Sequence, residues 1–123
     1  MRCKKAIMLI AAFMILSMNS AMAAPNFILL YSKDNVRAYL DQESLTYDGT
    51  MIDSWLKLNI KNKSYVINYL FNTKTKQMKA VKQRTYDSNN TLVKEENINQ
   101  EWEDIDKDNM IIYDKVLEKV KNN

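Results

Sequence analysis

The chain has 123 residues with one Cys, one Pro, one Gly and no His, a length that suits a single domain. The absence of His and the lone Cys3 at the extreme N-terminus exclude His- and Cys-dependent nucleophilic catalysis and any internal disulfide. The formal charge of +3 does not belong to the body of the chain, as its first two dozen residues show.

Met1-Arg-Cys-Lys-Lys5 is a basic segment, followed by the uncharged apolar run Ala6–Met18 and then by Ala21-Met22-Ala23, which places small residues where signal peptidase reads them. This order is that of a secretory signal peptide, residues 1–23, cleaved after Ala23 or Ala24. A run of thirteen residues is too short for a transmembrane helix, which needs about 20 to cross ~30 Å of hydrocarbon, so no transmembrane segment is expected after cleavage. Loss of Arg2, Lys4 and Lys5 lowers the 18 Lys and Arg to 15, equal to the 15 Asp and Glu, all of which lie beyond residue 23. A neutral mature chain is no argument for nucleic-acid binding. Cys3 leaves with the signal and precedes the apolar run, so it is not a lipobox cysteine.

Residues 24–123 read as one α+β domain, an antiparallel sheet of five to six strands with one C-terminal helix packed on it. Phe27–Tyr31 and Val36–Leu40 are predicted strands joined at Lys33–Asn35, where Asp and Asn accept unusual dihedrals. Asp41–Ser44 is polar and reads as a turn or one helical turn. Asp48-Gly49 carries the only Gly before a strand, a strong hairpin signal. Met51–Asn72 holds the central hairpin, two apolar runs around Lys61-Asn-Lys-Ser64. Period-two alternation puts Ile52, Ser54, Leu56, Leu58 and Ile60 on one face with Trp55 opposite, and Tyr65, Ile67, Tyr69 and Phe71 on one face of the next strand. Leu56, Leu58, Ile60, Ile67, Tyr69 and Phe71 are the expected core.

After a turn at Thr73–Lys76, Gln77–Tyr86 alternates weakly, with Met78, Ala80 and Tyr86 on one side and Val81 on the other. Asp87–Asn90 is a turn by composition, Thr91–Lys94 a last short strand, and Glu95–Gln100 irregular. Met110–Lys121 has helical periodicity, with Ile112, Tyr113, Val116, Leu117 and Val120 on one side, a cap at Asp108 or Asn109, and lysines at its end. The helix is expected to cover the less complete face of the sheet. Trp55 and Trp102 are expected in the core, with exposed anchoring of a partner as the alternative.

Little here supports catalysis. No Ser stands in a G-x-S-x-G setting, and the carboxylates of Glu101–Asp108 read as a solvated loop ahead of the helix. Their spacing lacks the Gly and terminal Glu of an EF-hand, so no metal and no cofactor is expected. The charge distribution is more informative. Ser54–Tyr86 contains no acid but carries Lys57, Lys61, Lys63, Lys74, Lys76, Lys79, Lys82 and Arg84. Lys61, Lys63, Lys74, Lys76, Lys79, Lys82 and Arg84 therefore form a candidate patch for an anionic partner, whether a glycan, an acidic protein or a membrane surface. Solubility and protection of strand edges explain the same lysines more simply and are preferred. Tyr65, Tyr69 and Phe71 interleave with Lys as single-strand platforms do, but export argues against nucleic acid.

Tyr39-Leu40-Asp41-x-x-Ser44-Leu45, the Trp-bearing strand Ile52-x-x-Trp55, Trp102-x-x-Ile105 and a terminal helix with Tyr113-Asp114 together resemble the surface-adhesin protein E domain family over about Val36–Lys119. The resemblance implies a small exported bacterial domain, an antiparallel sheet with a C-terminal helix packed on it. Its best-known member is an outer-membrane adhesin for host matrix and serum proteins. The family's disulfide between a middle strand and the helix has no counterpart here, and a Phe71–Leu117 contact is expected in its place. The proline that usually precedes the helix is absent. The expected function is thus an exported non-enzymatic binding domain, adhesin-like, periplasmic or at the cell surface, whose protein or glycan ligand meets the sheet. A periplasmic accessory or inhibitor module for another envelope protein is the alternative.

Overall fold

The computed structural model describes Asn26–Asn122; the predicted signal peptide and the cleavage point at Ala23 or Ala24 lie outside these residues. Eight strands and one helix follow in the order β1 Phe27–Lys33, β2 Val36–Asp41, β3 Thr46–Tyr47, β4 Met51–Ile60, β5 Lys63–Asn72, β6 Gln77–Tyr86, β7 Leu92–Asn97, β8 Glu103–Asp104 and α1 Lys107–Lys121. All strand pairs are antiparallel, in the spatial order β1-β2-β4-β5-β6-β7, with β3 on β4 and β8 on β6. Eight strands exceed the expected five to six because two of them are only two residues long, and such brief pairings leave no periodic signal.

The turns form where the composition implies. Asp34 and Lys61 take the left-handed conformation at φ 55° and 58°, and Gly49 sits at φ 101°. The hairpin of β4 and β5 is tighter than its four polar residues suggest, since Ile60 already pairs Lys63 across a two-residue turn. Asp48 organises the turn before β4, its Oδ1 accepting from the N–H groups of Thr50 (2.9 Å) and Met51 (2.7 Å). These two bonds hold its carboxyl below the ordinary Asp pKa.

One face of the sheet is the core. Cross-strand rows Leu40–Leu56–Ile67 and Ile52–Phe71–Met78 lie on it, and Ile105, Tyr113 and Val116 close over them. Each fully buried aliphatic contributes ~1.5–3 kcal/mol. The Phe71 and Tyr113 rings meet at 5.6 Å between centroids. The helix partner of Phe71 is therefore Tyr113, while Leu117, the residue expected to touch it, packs on the same cluster from one turn further on. Buried Ser54 is satisfied by donating to the Tyr69 carbonyl at 3.0 Å.

Several expectations need correction. The helix covers the more apolar face, because Ile52, Leu56 and Phe71 gain most from leaving water. It does not reach the far end of that face, so Leu58 and Ile60, expected in the core, are only half-buried, while Tyr69 packs against the core but stays partly exposed. The helix starts at Lys107 and is capped by Asp106, whose Oδ1 accepts from the Asn109 N–H at 2.8 Å, and not by Asp108 or Asn109. The last full strand runs Leu92–Asn97, and the segment read as irregular continues along β6. Ile98 donates to the Val81 carbonyl (2.8 Å) and Gln100 Oε1 accepts from the Ala80 N–H (2.6 Å), bridging β7 to β8.

Candidate functional site

The second face of the sheet has no helix on it. The pairing register sets its side chains in rows across the strands. Leu29, Tyr39, Lys57, Val66, Arg84 and Glu95 form one continuous row from β1 to β7. Trp55, Asn68, Lys82 and Asn97 form the next, and Asp53, Leu70 and Lys79 the one beyond. With strands ~4.8 Å apart and alternate residues about 7 Å apart along a strand, this is a grid of cations and rings, on a sheet curved enough that Phe27 of β1 and Tyr86 of β6 line the same hollow.

A bulge makes the grid. Tyr69 pairs Ala80 while Asn68 pairs Lys82, so Val81 is an extra residue in β6. Without it, Lys79 and Lys82, three apart, would point to opposite faces. With it, Lys79, Lys82, Arg84 and Tyr86 share the open face, and Met78 and Ala80 stay in the core. Tyr86 is thus on the face opposite Met78 and Ala80, contrary to simple alternation, because alternation carries no sign of an inserted residue.

The cations rest on rings. Lys57 Nζ is 5.4 Å from the Phe27 centroid and 5.9 Å from that of Tyr39. Arg84 Cζ is 4.9 Å from the Trp55 ring, and Lys79 Nζ is 5.1 Å from that of Trp102. Trp55 and Trp102 are therefore half-buried beneath cations on the open face and are not core residues. Such contacts supply ~0.5–1 kcal/mol each at exposed positions, a reason for the two indoles to stand without a covering layer.

Two acids of this face are held by side-chain amides and a third by Arg84. Asp53 Oδ1 accepts from Asn68 Nδ2 at 2.7 Å, Asp104 Oδ1 from Gln77 Nε2 at 3.3 Å, and Glu95 Oε2 from Arg84 Nε at 3.2 Å. Among the described residues the ion pairs are Arg84–Glu95 and Lys94–Glu96, so Lys57, Lys79 and Lys82 face solvent with rings or amides beside them and no carboxylate partner. Arg84 and Glu95 are 36 % and 43 % exposed. A pair so wet contributes roughly 0–1 kcal/mol and exchanges readily for an external anion.

The seven residues expected to form a patch divide into three groups. Lys79, Lys82 and Arg84 line β6 on the open face. Lys61 and Lys63 stand at the β4–β5 turn, while Lys74 and Lys76 stand at the β5–β6 turn at the opposite end of β5. Lys76 lies over the Tyr113 ring at 5.2 Å, toward the helix side. The sequence run omitted Lys57's ring partners, Phe27 and Tyr39, which only strand pairing brings together. Edge protection does not explain the β6 cations, because β6 is paired on both sides. Tyr65, Tyr69 and Phe71 are no platform: they lie on the helix-covered face, and Phe71 is 1 % exposed.

The acidic segment has structural duties, with Asp106 capping α1 and Asp104 bonded to Gln77. Among the described residues no group of three or more His, Cys, Asp or Glu is placed to hold a metal ion, and no helix is long and apolar enough to cross a membrane. Comparison with protein-family models, curated proteins and solved structures finds no match.

Proposed function

We propose that the protein is an exported, non-enzymatic binding domain, adhesin-like, that recognises a host matrix or serum protein or its glycan through the open face of the sheet. The observation that carries the reading is the grid of Lys57, Lys79, Lys82 and Arg84 against Phe27, Tyr39, Trp55 and Trp102. Trp, Tyr and Arg are the residues in which interfaces concentrate binding energy. Here they stand on a rigid sheet, so little conformational entropy is lost on docking. The resemblance of the Tyr39–Leu45, Ile52–Trp55, Trp102–Ile105 and Tyr113-Asp114 stretches to the surface-adhesin protein E domain family, and the signal-peptide pattern, support the same reading.

The test is capture of the purified protein on immobilised extracellular-matrix and serum proteins at low salt, with surface labelling of intact cells. Saturable capture together with labelling from outside supports the proposal. Labelling only after the envelope is opened, with no capture, moves the partner to another envelope protein and replaces the adhesin reading with that of a periplasmic accessory module.

A further inference from the structure

We propose that a hollow on the open face, lined by Phe27, Lys57, Val66, Arg84, Tyr86 and Asn90, binds a carboxylate-bearing sugar unit of an acidic glycan; the inference rests on the open face being the binding surface. The hollow measures about 210 Å³. Sites for drug-sized ligands run to ~300–1,000 Å³, so this one takes a single ring-sized unit.

Its lining states what that unit carries. Val66 forms an apolar floor, and Lys57 and Arg84 stand beside it in the same cross-strand row, one on each neighbouring strand. Phe27 and Tyr86 supply aromatic rings to the lining, and the faces of such rings are electron-rich. A saturated sugar ring offers polarised C–H bonds to those faces, and a carboxylate at its edge pairs with the Lys57 ammonium. Lys57 has no carboxylate partner among the described residues, and Arg84 is held only by exposed Glu95.

Other anions fit less well. Lys57 and Arg84 could also meet a phosphate, but the backbone N–H groups that phosphate cradles add to such cations are taken at the bordering turn. Asn89 and Thr91 donate to Asp87 Oδ1 (2.9 and 3.0 Å), and Asn90 donates to the Asp87 carbonyl (2.9 Å). An acidic peptide brings carboxylates but no ring for the apolar walls. Arg84 at the edge of the hollow rests on Trp55, and beyond it Lys79 on Trp102 repeats the pairing of cation and ring, which matches a chain whose units repeat a ring and a charge.

The experiment titrates the purified protein, by calorimetry and amide NMR, with an unsulfated oligosaccharide of alternating glucuronate and N-acetylglucosamine. The same oligosaccharide with its carboxyl groups reduced and a polyglutamate peptide are run beside it. The expected result is binding that vanishes on carboxyl reduction, weakens at least tenfold in Lys57→Gln, returns in Lys57→Arg and is unchanged in Lys74→Gln. Amide shifts are expected at Val66 and Tyr86. Binding that survives carboxyl reduction or Lys57→Gln overturns the proposal, and so does polyglutamate binding as tightly. If Lys57→Gln loses capture on matrix proteins while no oligosaccharide binds, the glycan is wrong and the binding surface stands; if neither binds, both fail.

Discussion

Tyr113 is wholly buried, yet its hydroxyl has no hydrogen-bond partner among the described residues. An unpaired buried hydroxyl costs ~1–3 kcal/mol, whereas the ring fills the space between Phe71 and α1. Tyr113→Phe is therefore expected to leave stability unchanged or to raise it by about 1 kcal/mol, and Tyr113→Ala to lower it by ~3–5 kcal/mol, both read by urea unfolding. Two other residues couple stability to pH. Burial raises the pKa of Tyr69 above its usual value, so the fold prefers the neutral phenol. That preference is fully present below the unfolded Tyr pKa and is lost as pH rises from there through the raised folded value. Alkaline melting curves of the wild type should fall more steeply than those of Tyr69→Phe. Asp48 has the opposite sign. Its pKa is lowered by the Met51 and Thr50 N–H groups, so its contribution is present above the ordinary Asp pKa and is lost as pH falls through the lowered one. Asp48→Asn, which keeps an acceptor but not the charge, should erase that acid-side component.

At the level of elements, legibility followed periodicity and chain-local chemistry. The turns at Asp34 and Gly49 are visible because Asp and Gly accept positive φ, and that at Lys61 because polar residues interrupt two apolar runs. The faces of β4 and β5 were visible because a ten-residue strand repeats its alternation five times. The sheet topology follows the chain order for every long strand, so hairpin signals sufficed. What stayed hidden depends on partners distant in sequence. The extra residue Val81 is fixed by the pairing of Ala80 with Tyr69 and of Lys82 with Asn68, and it reverses the face of Lys82, Arg84 and Tyr86. The helix start is not legible in sequence because Asp106, Asp108 and Asn109 are all good caps, and only the turn geometry selects Asp106. Asp106→Ala should cost ~1 kcal/mol by thermal or urea unfolding, while Asp108→Ala and Asn109→Ala, lacking that role, should cost a few tenths. Edge protection falls to β7, which carries the Lys94–Glu96 pair and its own register shift opposite Thr85 and Tyr86, the devices that blunt edge-to-edge pairing.

For the whole molecule, the two sheet faces solve different problems. One buries Ile52, Leu56, Phe71, Tyr113 and Val116 and holds the fold together without a disulfide. The other spreads rings and cations over a surface whose internal contacts are individually weak, so the proposed anionic partner would displace them at little cost. The composition pointed to a cationic stretch, but contiguity in sequence is not contiguity in space. Strand reversal sends Lys61 and Lys63 to one end of the sheet and Lys74 to the other. It also brings Lys57, two strands away from β6, into line with Arg84. The most direct measurement is a salt titration of binding to immobilised matrix proteins and heparin. It compares the wild type with two charge-reversal variants of equal charge change, Lys57/Lys79/Lys82→Glu on the open face and Lys61/Lys63/Lys74→Glu at the strand ends. Assignment of binding to the open face predicts wild-type affinity that falls steeply with salt, loss of at least tenfold in the first variant, and near wild-type affinity in the second. Equal losses in both variants would show a response to net charge alone and contradict the assignment, as would a first variant that binds like the wild type.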